Sequence, residues 1–180
     1  QATRRVLQPF AIEPINPFMA EIKATVKSLC VRGLGLLDAE GADAALSDSL
    51  MKAGSAGDEE ATRAWREFCY SCQDLSGFCS AVILEEHALD QQTSDGRSMI
   101  ALLQDQGVAI GVRIDTGFFP LNSFGEKGTS GLVLLTERCQ DYYRTGARIA
   151  KWRTVIECSM EMPTDVAVWD NTNCLAQCAQ

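Results

Sequence analysis

Four strand-length runs recur along this chain, each followed by a stretch with the spacing of a helix. That order restricts the fold more than any other feature of the sequence. The runs are Leu34-Gly35-Leu36-Leu37, Ser80-Ala81-Val82-Ile83-Leu84, Ala109-Ile110-Gly111-Val112-Arg113-Ile114-Asp115 and the segment from Arg148 to Glu157. The first two are apolar throughout, as strands covered on both faces are. The fourth alternates cationic and apolar residues, the pattern of a strand with one polar row and one packed row. Lys151 and Arg153 then point to the same side. Facing a barrel mouth they would form a surface for anionic oxygens; facing outward they would be a solvated face.

Between the runs, the spacing predicts a helix from Phe18, with Phe18, Ile22, Val26 and Leu29 on one face and Gly33 as its stop. Further helices are expected over 43–52, over 59–72 with Ala61, Trp65 and Phe68 on one side, over 98–106 and over 132–145. A last helix runs from Thr164, a suitable cap after Pro163, to the C-terminus. Residues 117–131 read as a loop. Residues 1–17 read as an extended arm, because Pro9, Pro14 and Pro17 lack an amide hydrogen and bias their neighbours away from helix. Residues 18–180 then form the folded domain. Strand and helix alternating four times imply a parallel α/β sheet with right-handed crossovers. A doubly wound sheet usually carries a Gly-rich phosphate turn after its first strand. Here that place holds Asp38-Ala39-Glu40-Gly41, which favours a barrel-type or half-barrel arrangement.

Composition narrows the function classes. A length of 180 residues with 46% apolar content suits one domain with a sizeable core. A formal charge of −8 argues against a sequence-independent grip on nucleic acid, which needs a basic stripe. No uninterrupted apolar run approaches the roughly 18 residues that a membrane span needs. The chain starts at Gln1, and Thr3-Arg4-Arg5 would suit the tail of a removed targeting segment. Of eight cysteines, Cys69 and Cys72 form a C-x-x-C and Cys174 and Cys178 lie four apart. A zinc site would want a second pair at knuckle spacing, and the only histidine, His87, sits in the charged run Glu85-Glu86-His87. A redox pair would open a helix after a strand, whereas Cys69 and Cys72 close a helix-like run. The reading adopted is small buried apolar residues in a reducing compartment, with disulfides or a metal as alternatives. No cofactor or metal is expected.

A set of longer matches gives the chain a family likeness. They are Gly33-Leu34-Gly35-Leu36-Leu37; Arg63-Ala64-Trp65-Arg66-Glu67 leading to Ala81-Val82-Ile83-Leu84; and Gly111-Val112-Arg113-Ile114-Asp115-Thr116-Gly117 with Pro120-Leu121. Thr136-Glu137-Arg138-Cys139, Gly146-Ala147-Arg148-Ile149-Ala150-Lys151-Trp152-Arg153 and Asn171-Thr172-Asn173-Cys174-Leu175-Ala176 complete them. In that order and spacing, over residues 18–180, the chain resembles the N-terminal half of the class I fructose-bisphosphate aldolases, Schiff-base enzymes on a (β/α)8 barrel. The resemblance implies about half of such a TIM barrel, preceded by the arm and the first helix. The family's chemistry uses an iminium-forming lysine, carboxylates that move protons and cations that hold two phosphates. Its iminium lysine belongs to the sixth strand and its paired glutamates to the fifth, and neither strand falls within these 180 residues.

Residue by residue, the family's Leu-Ala-Ala-Asp-Glu-Ser reads Leu37-Asp38-Ala39-Glu40-Gly41-Ala42 here, so Glu40 stands for the aspartate and Asp38 matches only with a register slip of two. The serine that grips phosphate is Ala42, an arginine beyond it aligns with Ser49, and the third-strand lysine is Thr116. Lys151 and Arg153 survive in an intact Ala-Lys-Trp-Arg. The family-matched catalytic candidates are Lys151 and Glu40, and the substrate-binding candidates are Arg153 and Asp115. Against these roles stands a structural one, in which Lys151 and Arg153 persist because they pair with Asp115 or Glu40. Trp65 and Trp152 are read as core or interface aromatics.

The leading expectation is a non-catalytic relative acting as a structural or docking subunit, its open half-barrel covered by protein partners in a larger assembly. The alternatives are a fragment of an active fructose-1,6-bisphosphate aldolase and a module that binds a sugar phosphate through Lys151 and Arg153. Relatives occur in cytosol and plastid; the expected compartment is an organelle such as a plastid, with the cytoplasm as the alternative.

Overall fold

In a computed structural model that describes residues 16–39 and 43–180, the strands in chain order are β1 (Gly35–Asp38), β2 (Cys79–Leu84), β3 (Ala109–Arg113), β4 (Gly117–Pro120), β5 (Lys127–Ser130) and β6 (Ile149–Lys151). The helices are α1 (Met19–Leu29), α2 (Asp43–Lys52), α3 (Glu59–Tyr70), α4 (Met99–Asp105), α5 (Leu135–Thr145) and α6 (Asp165–Cys178). Four strands pair in the order β1-β2-β3-β6, all parallel, with Ala81 opposite Ala109, Gly111 opposite Ile149 and Arg113 opposite Lys151. The α/β half-barrel reading is therefore correct: an open sheet of four parallel strands, interleaved with helices and preceded by α1.

The two faces of the sheet do different things. Val82, Leu84, Ile110, Val112 and Ile114 point to the helices and pack with Tyr70, Met99, Leu103 and Tyr142 into one buried core. The alternate residues Ile83, Gly111 and Ile149 point to the concave side. Gly111 is small there for a steric reason, because a Cβ at that position would overlap the Ile83 δ-methyl and lie 3.2 Å from the Ile149 Cβ. Helix ends follow local chemistry. Asp58 caps α3 by accepting from the Ala61 N–H at 2.8 Å, and Gly107 and Gly146, both at positive φ, follow α4 and α5.

The structure corrects several local expectations. The extended arm over 1–17 lies outside the described residues except for residues 16 and 17, the latter in a turn. β1 is not buried: Leu36 is 57% exposed, because this strand has one neighbour among the described strands. Residues 117–131 are not a loop but contain the antiparallel hairpin β4–β5, with Phe118 opposite Thr129. β6 stops at Lys151 although the alternation continues to Glu157, because its ladder partner β3 ends at Arg113. In α3 the apolar side faces outward. Thr62, Arg66 and Tyr70 are buried, while Trp65 and Phe68 stack on each other in the exposed face with ring centroids 5.6 Å apart. The inner face and the flank beside it are tied to the loop over 91–98: Arg66 Nη1 donates to Gln91 Oε1 at 3.2 Å, Arg63 donates to the Gln92 carbonyl, and Glu67 accepts from the Ser94 N–H and hydroxyl. Burial accounts for Cys174 but not for Cys30, Cys72 and Cys158, which are exposed.

Candidate site at the strand ends

The carboxyl ends of the parallel strands bring together three carboxylates and three cations from segments far apart in sequence. Asp38 ends β1, Arg113 ends β3 and Lys151 ends β6, while Glu85, Asp115 and Arg153 lie just beyond β2, β3 and β6. They form three ion pairs. Lys151 Nζ meets Asp38 Oδ2 at 2.6 Å. Arg153 grips Asp115 with two bonds, Nε to Oδ2 at 2.9 Å and Nη2 to Oδ1 at 2.6 Å. Arg113 Nη1 donates to Glu85 Oε1 at 2.9 Å, and His87 Nδ1 lies 3.3 Å from Glu85 Oε2.

Asp115 is the most enclosed of these groups. Burial pushes its carboxyl upward, but the double hydrogen bond and charge of Arg153, with the Gly117 N–H and Arg113, hold it below the ordinary carboxylate range. The Arg153 guanidinium also lies over the Phe118 ring at 4.9 Å, and the Arg153 carbonyl accepts from the Thr129 hydroxyl at 2.8 Å. The hairpin β4–β5 thus braces the arginine. Arg138 fixes the exit of β3, donating to the Ile114 and Gly131 carbonyls at 3.0 and 3.2 Å. On the far side of the hairpin, Glu126 is buried and accepts from Thr164 N–H and hydroxyl at 2.9 and 2.6 Å and from Asn122 Nδ2 at 2.6 Å. The Thr164 hydroxyl and N–H bonds, with help from Asn122, hold Glu126 below the ordinary carboxylate range. Thr164 in turn caps α6.

Of the residues singled out in the sequence, Lys151, Arg153 and Asp115 come together here, and the pairing of Arg153 with Asp115 is the one considered from sequence. Lys151 meets Asp38, which had been matched only under a register slip. Glu40 and Ala42 lie outside the described residues. Thr116 is exposed and contributes its N–H to the Ser130 carbonyl at 2.9 Å, and the Ser49 hydroxyl is spent on the Ala45 carbonyl of its own helix at 2.8 Å. Glu85, Arg113, Arg138 and Glu126 were missed; nothing in local spacing marks them, although Glu85 falls in the charged run after the second apolar strand. Among the described residues no group of three or more His, Cys, Asp or Glu could hold a metal ion, and no helix is long and apolar enough to cross a membrane.

Among the described residues the three carboxylates and three cations of the mouth balance one another. A phosphate approaching Lys151 or Arg153 has to displace a carboxylate that is already hydrogen-bonded, which weakens any gain from the new contact.

Comparison with known proteins gives one consistent result. The family model described as glycolytic fructose-bisphosphate aldolase class-I matches residues 21–180. A fructose-bisphosphate aldolase of Schistosoma mansoni is 34% identical over 171 residues, covering 91% of this chain and 47% of its own length. One from Dictyostelium discoideum is 34% identical over 168 residues, with the same shares. The solved structure of the Plasmodium falciparum fructose-bisphosphate aldolase, in ternary complex with TRAP and a small-molecule inhibitor, superposes with a TM-score of 0.84 at 31% identity. That match covers 89% of this chain and 47% of the other. The chain spans about half the length of the relatives it matches.

Proposed function

The chain belongs to the class I fructose-bisphosphate aldolase family, and from that premise we propose that it is a non-catalytic member which works as a structural or docking subunit. The observation that carries this reading is the self-neutralised mouth. Lys151 and Arg153, the cations that the resemblance assigns to catalysis and phosphate binding, are held by Asp38 and Asp115 of the same chain. The third-strand lysine that the resemblance calls for is Thr116 here. Losing one donor positioned where charge develops in a transition state lowers turnover by about 10²–10³. An open sheet with apolar helix faces exposed on its flanks is suited to contact with protein. A relative solved in complex with TRAP is consistent with docking by this fold.

A second reading, that this is the N-terminal half of an active aldolase, is favoured by one observation. The Ala-Lys-Trp-Arg run that carries Lys151 and Arg153 is intact. A chimaera separates the two: residues 16–180 joined to the C-terminal half of an active relative, assayed for cleavage of fructose 1,6-bisphosphate and for a borohydride-trapped lysine adduct. The expected outcome is a folded barrel with cleavage reduced at least about 10²-fold. Cleavage within tenfold of the relative, with adduct, establishes the second reading instead.

A further inference from the structure

The terminal helix α6 is turned inside out with respect to an ordinary surface helix. Its buried line consists of Ala167, Asn171 and Cys174, small or polar residues at positions i, i+4 and i+7. Trp169 lies diametrically opposite that line, 67% exposed, with Val166 on its shoulder, while Val168 and Leu175 lie on the flank turned away from Val166. A helix facing water on one side normally turns its large apolar residues inward. Here the inner line gains its hold from polar bonds, since Asn171 Nδ2 donates to the Lys127 and Ala167 carbonyls at 3.0 and 2.9 Å. The larger apolar residues are left over for something else. Just upstream, Met160 is fully exposed in the tight turn that Ser159 closes, and Ile156 is exposed beside it.

The segment that forms this surface carries charge of one sign. From Thr154 to Gln180 the sequence contains Glu157, Glu161, Asp165 and Asp170 and no lysine, arginine or histidine. Glu157, Glu161 and Asp165 are exposed, and Asp165 shares the outward side of α6 with Trp169. A second copy of this chain docked face to face here would set Glu157, Glu161 and Asp165 against the same acids. We propose that the outward face of α6 docks a basic amphipathic helix of a partner protein. The apolar ridge of that helix covers Val166 and Trp169, and its lysines or arginines meet Glu157, Glu161 and Asp165. This deepens the docking reading above and rests on it.

The test uses the full 180-residue chain and two labelled 18-residue helical peptides of leucine on one face, with lysine on the other in one and glutamate in the other. Fluorescence anisotropy is expected to give micromolar binding of the lysine peptide and binding at least about tenfold weaker for the glutamate peptide. Trp169→Ser should weaken the lysine peptide about tenfold or more, with the helical circular dichroism unchanged. Val166→Ser provides a second apolar variant should the first alter the fold, and Glu161→Lys with Asp165→Lys should weaken binding and flatten its salt dependence. The proposal is overturned by no binding of the lysine peptide, by equal binding of both peptides, or by lysine-peptide binding that ignores Trp169→Ser and Val166→Ser. A dimer by light scattering that Trp169→Ser dissolves also overturns it, in favour of a second copy. An active chimaera sinks the non-catalytic reading whatever the peptides do; an inactive one with a silent peptide result sinks only this surface.

Discussion

Replacing Gly111 by alanine tests whether the concave side of the sheet is as tightly filled as the contacts indicate. The backbone there is ordinary strand, so alanine meets no conformational penalty and gains about 0.4–1 kcal/mol by restricting the unfolded chain. Against this, the new methyl overlaps the Ile83 δ-methyl and lies 3.2 Å from the Ile149 Cβ. Overpacking of that kind costs about 1–3 kcal/mol, so Gly111→Ala should lose about 1–2 kcal/mol net. Ile83→Val removes the overlapping methyl and alone should cost about 0.5–1.5 kcal/mol, since Ile83 is buried. In the double variant the added Cβ occupies the vacated space. Its loss should be close to that of Ile83→Val alone, with a favourable coupling of about 1 kcal/mol. The contact with Ile149 remains, so recovery will be incomplete. Urea unfolding of the four proteins at one pH supplies the cycle, provided their m-values agree. If Gly111→Ala is harmless, or if the two losses simply add to within about 0.3–0.5 kcal/mol, the packing argument is wrong.

Three other outcomes follow from particular residues. Leu134 sits at φ 52° while 64% exposed, so Leu134→Gly should raise stability by about 1 kcal/mol, read as a higher thermal midpoint; a lower one would mean that the side chain packs after all. Asp115 has its folded pKa depressed, so its contribution is fully present above the unfolded value of about 4 and fades as pH falls through the folded one. Asp115→Asn should therefore lose about 1–2 kcal/mol at neutral pH, after allowance for the partly exposed Arg153, with a smaller gap from the parent in urea titrations at pH 3. Thr164→Ala removes both the cap of α6 and the hydroxyl that Glu126 accepts, and should cost about 1–2 kcal/mol by chemical denaturation.

The positions of the four parallel strands were legible because apolar or alternating runs of strand length have few other uses. Faces were less legible. Ala61, Trp65 and Phe68 formed the obvious apolar side of α3, yet the helix turns Thr62, Arg66 and Tyr70 inward, where Tyr70 joins the core and Arg66 meets Gln91. The hairpin escaped notice because its strands are four residues each and pair only with one another, leaving no long periodic signal between Gly117 and Gly131. In the site, local pattern placed Lys151 and Arg153 on one side of the chain but could not say which acid each would meet. Asp38 is 113 residues from Lys151, and only the curl of the sheet makes them neighbours.

That curl has a consequence for any polypeptide that would complete the wheel. Asp38 and Lys151 stand on the two outermost strands, separated by three inter-strand steps, or about 14 Å if the sheet were flat. Their bond is a tie-rod drawn between the tips of a bow, and it is made within these four staves. A complement therefore meets a mould already cut to size and has only to match it, so lengthening or shortening that one rod is the simplest way to change which complements fit.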